Sequence, residues 1–185
     1  MNAIAHIQRI QDLLAEWRTL GSCRLRNGVE LIGRMPVDDE HVWMHVVFPG
    51  LSVAELDLVE RDLRASLGRT LRAFYRCCGG MNLFNDGFRL FGRRLPGVSA
   101  GLRSLQPSDI VAFNHEIDTL GWKPQAAVAF AQNSWDQTVH LTNMGDLPEQ
   151  VVRCDRRTGR VLERHDDVFA CIATRLFKLD QLQLQ

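Results

Sequence analysis

Residues 51–92 read LSVAELDLVERDLRASLGRTLRAFYRCCGGMNLFNDGFRLFG, and the fold turns on them. Ser52 stands where a helix N-cap belongs and Glu55 follows at capping-box spacing, while Leu51 and Leu56 occupy the positions of a hydrophobic staple. Leu56, Val59, Leu63 and Leu67 then recur at helical steps, so the spacing predicts a helix from Ser52 to Leu67, stopped by a left-handed Gly68. Leu71, Phe74, Tyr75 and Cys78 repeat the stripe in a second helix, which Gly79-Gly80 is expected to break. From Leu83 to Gly92 the chain reads as a short hairpin. Two amphipathic helices in succession need an apolar surface to lie on, and a sheet is the one on offer.

Upstream, Ile4, Ile7, Ile10, Leu14 and Trp17 fall on one stripe of an N-terminal helix. Ser22 to Arg26 and Val29 to Arg34 flank Asn27-Gly28, which predicts a hairpin with a type I′ turn. After the acidic run Asp38-Asp39-Glu40, residues His41 to Phe48 are β-branched and aromatic and read as a third strand. Downstream come a loop at Pro96 to Gly101 and a helix from Pro107 to Leu120 carrying Ile110, Phe113 and Ile117. Strands are expected at 126–131 and 138–141, around a turn at Asn133 to Asp136, and at 150–154 and 160–163. A last helix opens at Asp166 or Asp167, with Phe169, Ile172, Leu176 and Leu179 on one side. The class is α+β: a mainly antiparallel mixed sheet of about six to eight strands, with helices packed on one side and at the ends.

With 185 residues, 45% of them hydrophobic, the chain can bury the core of one domain. Lys plus Arg and Asp plus Glu are equal at 22 each, so no net field draws the molecule to nucleic acid or an anionic membrane. Arg61, Arg64, Arg72 and Arg76 lie opposite the apolar stripe, where a solvated face belongs. No apolar run approaches a membrane span and the N-terminus lacks signal-peptide order, so a cytoplasmic protein is expected. The five cysteines, Cys23, Cys77, Cys78, Cys154 and Cys171, form no Cys-x-x-Cys pair and suit a reducing compartment. Cys77 and Cys78 read as small packing residues at a helix end.

Catalytic chemistry is not expected. His41, Trp43 and His45 alternate and would share one face of a strand, where Asp38 or Glu40 could complete a metal site. The plainer reading is a half-buried sheet surface. Cys78 before two glycines has no base marked beside it, although His115, His140 and His165 exist, and His165-Asp166-Asp167 suits the opening of a helix. No glycine-rich phosphate loop is present. Neither metal nor cofactor is expected. For a binding surface, which combines aromatic anchors with charge, the candidates are Trp135 with Asp136 and the run Asp38, Asp39, Glu40 beside Trp43.

A family resemblance runs through the same residues. An acidic helix containing Glu60, a second with Leu71 and Phe74 running into Gly79-Gly80, then Leu83-Phe84 and Phe88 to Gly92 resemble the front half of the SUKH superfamily, the Smi/Knr-like proteins. Val128-Ala129-Phe130, Trp135 to Leu141, Val151 to Val161, and the closing helix with Phe169 and Leu176 resemble its back half. The family commonly has Leu-Pro where Thr70-Leu71 stand and Asn-Gly where Cys78-Gly79 stand. The resemblance covers residues 51–185 as a SUKH-like domain and leaves 1–50 as an extension of helix and hairpin within one compact unit. It implies a non-enzymatic protein-binding module, above all an immunity protein that neutralises a bacterial toxin, often a nuclease. A regulatory interaction protein on the same fold is the alternative, and a small metal-dependent hydrolase the third reading. The identity of the partner and the oligomeric state are not written in the residues.

Overall fold

In the computed structural model, which describes residues 3–37, 40–94, 106–142 and 149–183, Ser52 caps a helix as its spacing predicts. Ser52 Oγ accepts from the Glu55 N–H at 3.2 Å, and Glu55 Oε2 accepts from the Ser52 N–H at 2.8 Å. The chain runs α1 (Ala3–Arg18), β1 (Ser22–Arg24), β2 (Glu30–Val37), β3 (Glu40–Pro49), α2 (Val53–Leu63) and α3 (Arg69–Cys77). It continues through β4 (Cys78–Leu83), β5 (Phe88–Leu90), α4 (Ile110–Asp118), β6 (Val128–Asn133) and β7 (Thr138–Thr142). Then come β8 (Val151–Asp155), β9 (Val161–His165) and α5 (Val168–Gln183). Asp38, Asp39 and the expected loop at Pro96 to Gly101 lie outside the described residues.

The fold is α+β, with five helices and one open sheet of nine strands among the described residues. Spatial order equals chain order, and every strand pair is antiparallel. The count exceeds the expected six to eight because every strand anticipated along the chain, down to the three-residue β1 and β5, pairs into the same sheet. β1, β2 and β3, from the first fifty residues, belong to this same sheet. A parallel contact appears as the isolated bridge Gly92↔Asp109.

Five local expectations change. Of Asn27 and Gly28, Gly28 alone takes positive φ, at 84°, whereas a type I′ turn needs both. The Gly28 N–H bonds to Leu25 O at 3.0 Å and the Leu25 N–H to Val29 O at 2.8 Å, giving a type I turn followed by a left-handed glycine. Helix α2 stops at Leu63, with Arg64 in the left-handed position at φ 54°. The Glu60 carboxylate explains this early stop by accepting the Leu67 N–H at 2.9 Å and pairing with Arg72 at 2.5 Å, which ties the loop down. Gly68, at φ 71°, opens α3 instead of ending α2. Gly79 and Gly80 break no helix, because α3 passes directly into β4, of which they are part. The helix expected from Pro107 begins at Ile110, capped by Asp109 Oδ1 on the Ala112 N–H.

One face of the sheet is covered by α1 and α5. Trp17 of α1 meets His45 of β3 edge to face at 5.0 Å, and Arg175 of α5 meets His140 of β7. α3 joins them through Phe74 against Phe169. Leu83, Phe88 and Leu90 are buried in the core with Leu56, Leu71 and Ile172. α4 locks onto β6 at its register shift, where Asn114 exchanges hydrogen bonds with both the N–H and the C=O of Ala129. Phe113 stacks on Phe91 at 3.7 Å. Among the described residues no helix is long and apolar enough to cross a membrane.

Glycines allow the backbone to close on itself where the helices leave the sheet. A Cβ on Gly92 would collide with the Gly79 carbonyl, and one on Gly79 with the Pro49 carbonyl. Backbone cannot rotate away as a side chain can, so Gly92→Ala is expected to cost about 3 kcal/mol and lower Tm by on the order of 10 °C. Gly121→Ala meets nothing within 4 Å and carries only the cost of its φ of 76°. It should lose about 1 kcal/mol by urea denaturation followed by circular dichroism.

Candidate functional site

In an antiparallel meander laid out in chain order, successive connections alternate between the two ends of the sheet. The row His45↔Leu83↔Phe88↔Asn133↔Thr138↔Asp155 crosses it just inside one end. At that end lie the tight turns 84–87, 134–137 and 156–160, together with the outer part of the β2–β3 ladder. The other end carries the connections that hold α2 with α3 and α4. Glu40, Trp43, Trp135 and Asp136 therefore share the hairpin end. β3 pairs with β4 only from His45 onward, so its earlier residues, Trp43 included, extend with β2 as a two-stranded arm past the 84–87 turn. The Asn85 N–H bonds to Met44 O at 2.9 Å and ties that turn to the arm.

Trp135 is the exposed aromatic of this end, with 50% of its surface open. Asn133 Oδ1 accepts its N–H at 2.9 Å, the Ser134 N–H bonds to Gly87 O at 2.8 Å, and Ser134 Oγ bonds to Asp86 O at 3.1 Å. The indole lies across Gly87, where any Cβ would collide with the ring. Beneath it Phe84, Asn85 and Asp86 take three consecutive left-handed conformations, φ 52°, 49° and 68°. Asn and Asp adopt these readily, but Phe84 gives up about 1–2 kcal/mol. Its burial between Trp17 and His45 offsets that strain. The result is a rigid turn pair presenting one indole.

Behind Trp135 lies a network of charge under α5. Asp136 Oδ2 faces Arg153 at 3.4 Å and Arg175 at 3.8 Å while the residue itself stays exposed, so its carboxylate caps the network at the surface. Glu163 receives Arg153 at 3.0 Å, Lys178 at 2.9 Å and Arg175 at 3.6 Å. Burial pushes the Glu163 carboxyl up, but the Lys178 hydrogen bond and the surrounding cations outweigh it and bring it down to about 2. Burial drives His140 well below its ordinary value, helped by Arg175, and lowers His165 against the pull of Glu163. Sequence reasoning missed Arg175, although it falls among the apolar residues of α5, between Ile172 and Leu179, where a charge must find partners.

The remaining predicted residues are structural in placement. Glu60 ties α2 to α3, while Leu71, Phe74 and Leu83 are core. Gly79, Gly80 and Gly92 surround the close backbone approach. Cys78 is buried with its thiol pushed up to about 12 by burial, far from a nucleophile's state. His45 has no exposed surface, accepts the Phe84 N–H at 3.4 Å on Nδ1, and is lowered by burial to about 4. Among the described residues no three His, Cys, Asp or Glu side chains form a group that could hold a metal. No protein-family model matches the chain, and no curated protein matches it.

His45, His140 and His165 all have folded pKa values below their unfolded ones, so the unfolded chain binds more protons below about 6.5. Their contribution is complete above pH 6.5 and fades as pH falls toward 4. The urea midpoint should drop across that window by more than carboxylates alone produce. His45→Asn, which keeps an acceptor for Phe84, should flatten the slope by up to about 1 kcal/mol per pH unit while lowering stability at pH 7.

Proposed function

We propose that the chain is a cytoplasmic, non-enzymatic protein-binding module of the SUKH kind, an immunity protein that docks on a bacterial toxin domain and occludes its active face. The observation that carries this reading is the indole of Trp135, half exposed on two turns fixed by side-chain caps and left-handed backbone. An aromatic anchor held without freedom loses little entropy on binding, which is what an interface centre needs. The order α2, α3, β4, β5, then β6 to β9 and α5, is the order the family resemblance implies, and it supports the same reading. From the sequence, the acidic run Asp38, Asp39 and Glu40 with Trp43 is added as a further candidate for the contact. A nuclease toxin, whose substrate groove is basic, is the first partner class to test.

A regulatory interaction protein would use the same surface on a partner that is not toxic. The hydrolase reading through His41 and His45 is weakened by the burial of His45 between two aromatic rings. The test is a pull-down with the products of neighbouring genes, followed by reconstitution with any toxin domain it captures. A stable complex should form and toxin activity should be lost, and Trp135→Ala should weaken binding by about 30-fold, the effect of a hot-spot aromatic. A complex whose affinity is untouched by Trp135→Ala would remove the hairpin end as the docking surface. Capture of a harmless partner instead would favour the regulatory reading.

A further inference from the structure

A groove apart from the hairpin-end anchor runs between the last turn of α2 and α4. Its inner part, of about 490 Å³, is lined by Leu63, Arg64, Val111, His115 and Lys123 among others. It continues through Arg64 and His115 into an outer part of about 700 Å³ beside Arg61, Arg93 and Arg94. The carboxylates in it are already engaged. Asp62 pairs with Arg61 at 3.0 Å and Arg93 at 3.6 Å, and Asp118 pairs with Lys123 at 2.9 Å. Asp109 spends its two oxygens on the backbone N–H groups of Ala112 and Arg94, at 2.9 and 3.1 Å.

Lys123 is a built feature: its side chain is 4% exposed and its ammonium also donates to Ala127 O at 2.8 Å. Arg64 and Arg94 have no carboxylate within 4.0 Å among the described residues, and both are exposed. Arg64 is the left-handed residue that ends α2, so its backbone direction is set by the helix stop. The groove therefore holds surplus positive charge in planar, forked donors beside the half-buried side chains of Leu63 and Val111.

We infer that this groove binds a short acidic segment of a protein partner, its carboxylates paired with Arg64 and Arg94 and its apolar side chains set against Leu63 and Val111. Guanidinium forks match carboxylates two bonds at a time. A nucleic-acid strand fits less well, because no Trp, Tyr or Phe lines either part of the groove and its bases would have no stacking platform. The inference does not rest on the Trp135 surface, and the two are read out separately.

The test is fluorescence anisotropy with a labelled peptide alternating glutamate and valine, its glutamine–valine counterpart, and oligothymidylate. The glutamate peptide should bind, the glutamine peptide should bind at least about tenfold more weakly, and Arg64→Glu with Arg94→Glu should lose at least about tenfold. The milder pair Arg64→Gln and Arg94→Gln should fall between. Arg26→Glu, an exposed arginine outside the groove, should leave affinity unchanged. Equal binding of both peptides, indifference to both double variants, or no binding would overturn the inference, and tighter binding of oligothymidylate would reassign the groove to nucleic acid.

Discussion

The backbone contact around Gly79 is the constraint on which the remaining architecture depends. Here the end of β3, the start of β4 and the exit from β5 come so close that Gly79 and Gly92 leave no room for a side chain. Tyr75 seals the same place from α3, its hydroxyl donating to Phe91 O at 2.6 Å and its carbonyl accepting from Leu51 at 2.8 Å. Two helices can thus be inserted between β3 and β4 without separating them. With the helices handled at one end, the other end is left to short turns, and that division produces the surface carrying Trp135.

Much of the layout is legible in the residues because it depends on local chemistry. Ser52 with Glu55 marks a helix start, the apolar stripes mark buried faces, and paired β-branched runs mark hairpins. Misreadings arise where a glycine has several uses. Gly68 and Gly79 look like helix stops, yet one opens a helix and the other permits a backbone crossing, and only distant partners separate these roles. α2 ends early because Glu60 reaches forward to the Leu67 N–H, a side-chain choice that helix propensity does not encode. The candidate site was legible in part: Trp135 stands out as a large aromatic in a turn. Its support from Gly87 and Phe84 was not, since it comes from a neighbouring hairpin.

Equal numbers of positive and negative side chains conceal an uneven arrangement. Under α5 the charges face one another, with Glu163 surrounded by Arg153, Arg175 and Lys178 and with Arg175 only 6% exposed. Taking so many ions out of water is costly unless geometry repays it, and such networks do more to fix an arrangement than to stabilise it. Between α2 and α4 the acids are instead engaged in caps and pairs, leaving arginines facing solvent. Whole-chain neutrality is therefore a poor guide to either surface.

The strand order has a kinetic consequence. Because each strand lies beside its neighbour in the chain, the sheet can grow outward by successive additions, with the detours through the helices as the slower closures. The Trp17–Asp180 hydrogen bond between α1 and α5 joins residues 163 positions apart. It closes α1 and α5 over the sheet, and loss of either helix would leave the face bearing His45 and His140 open to other chains.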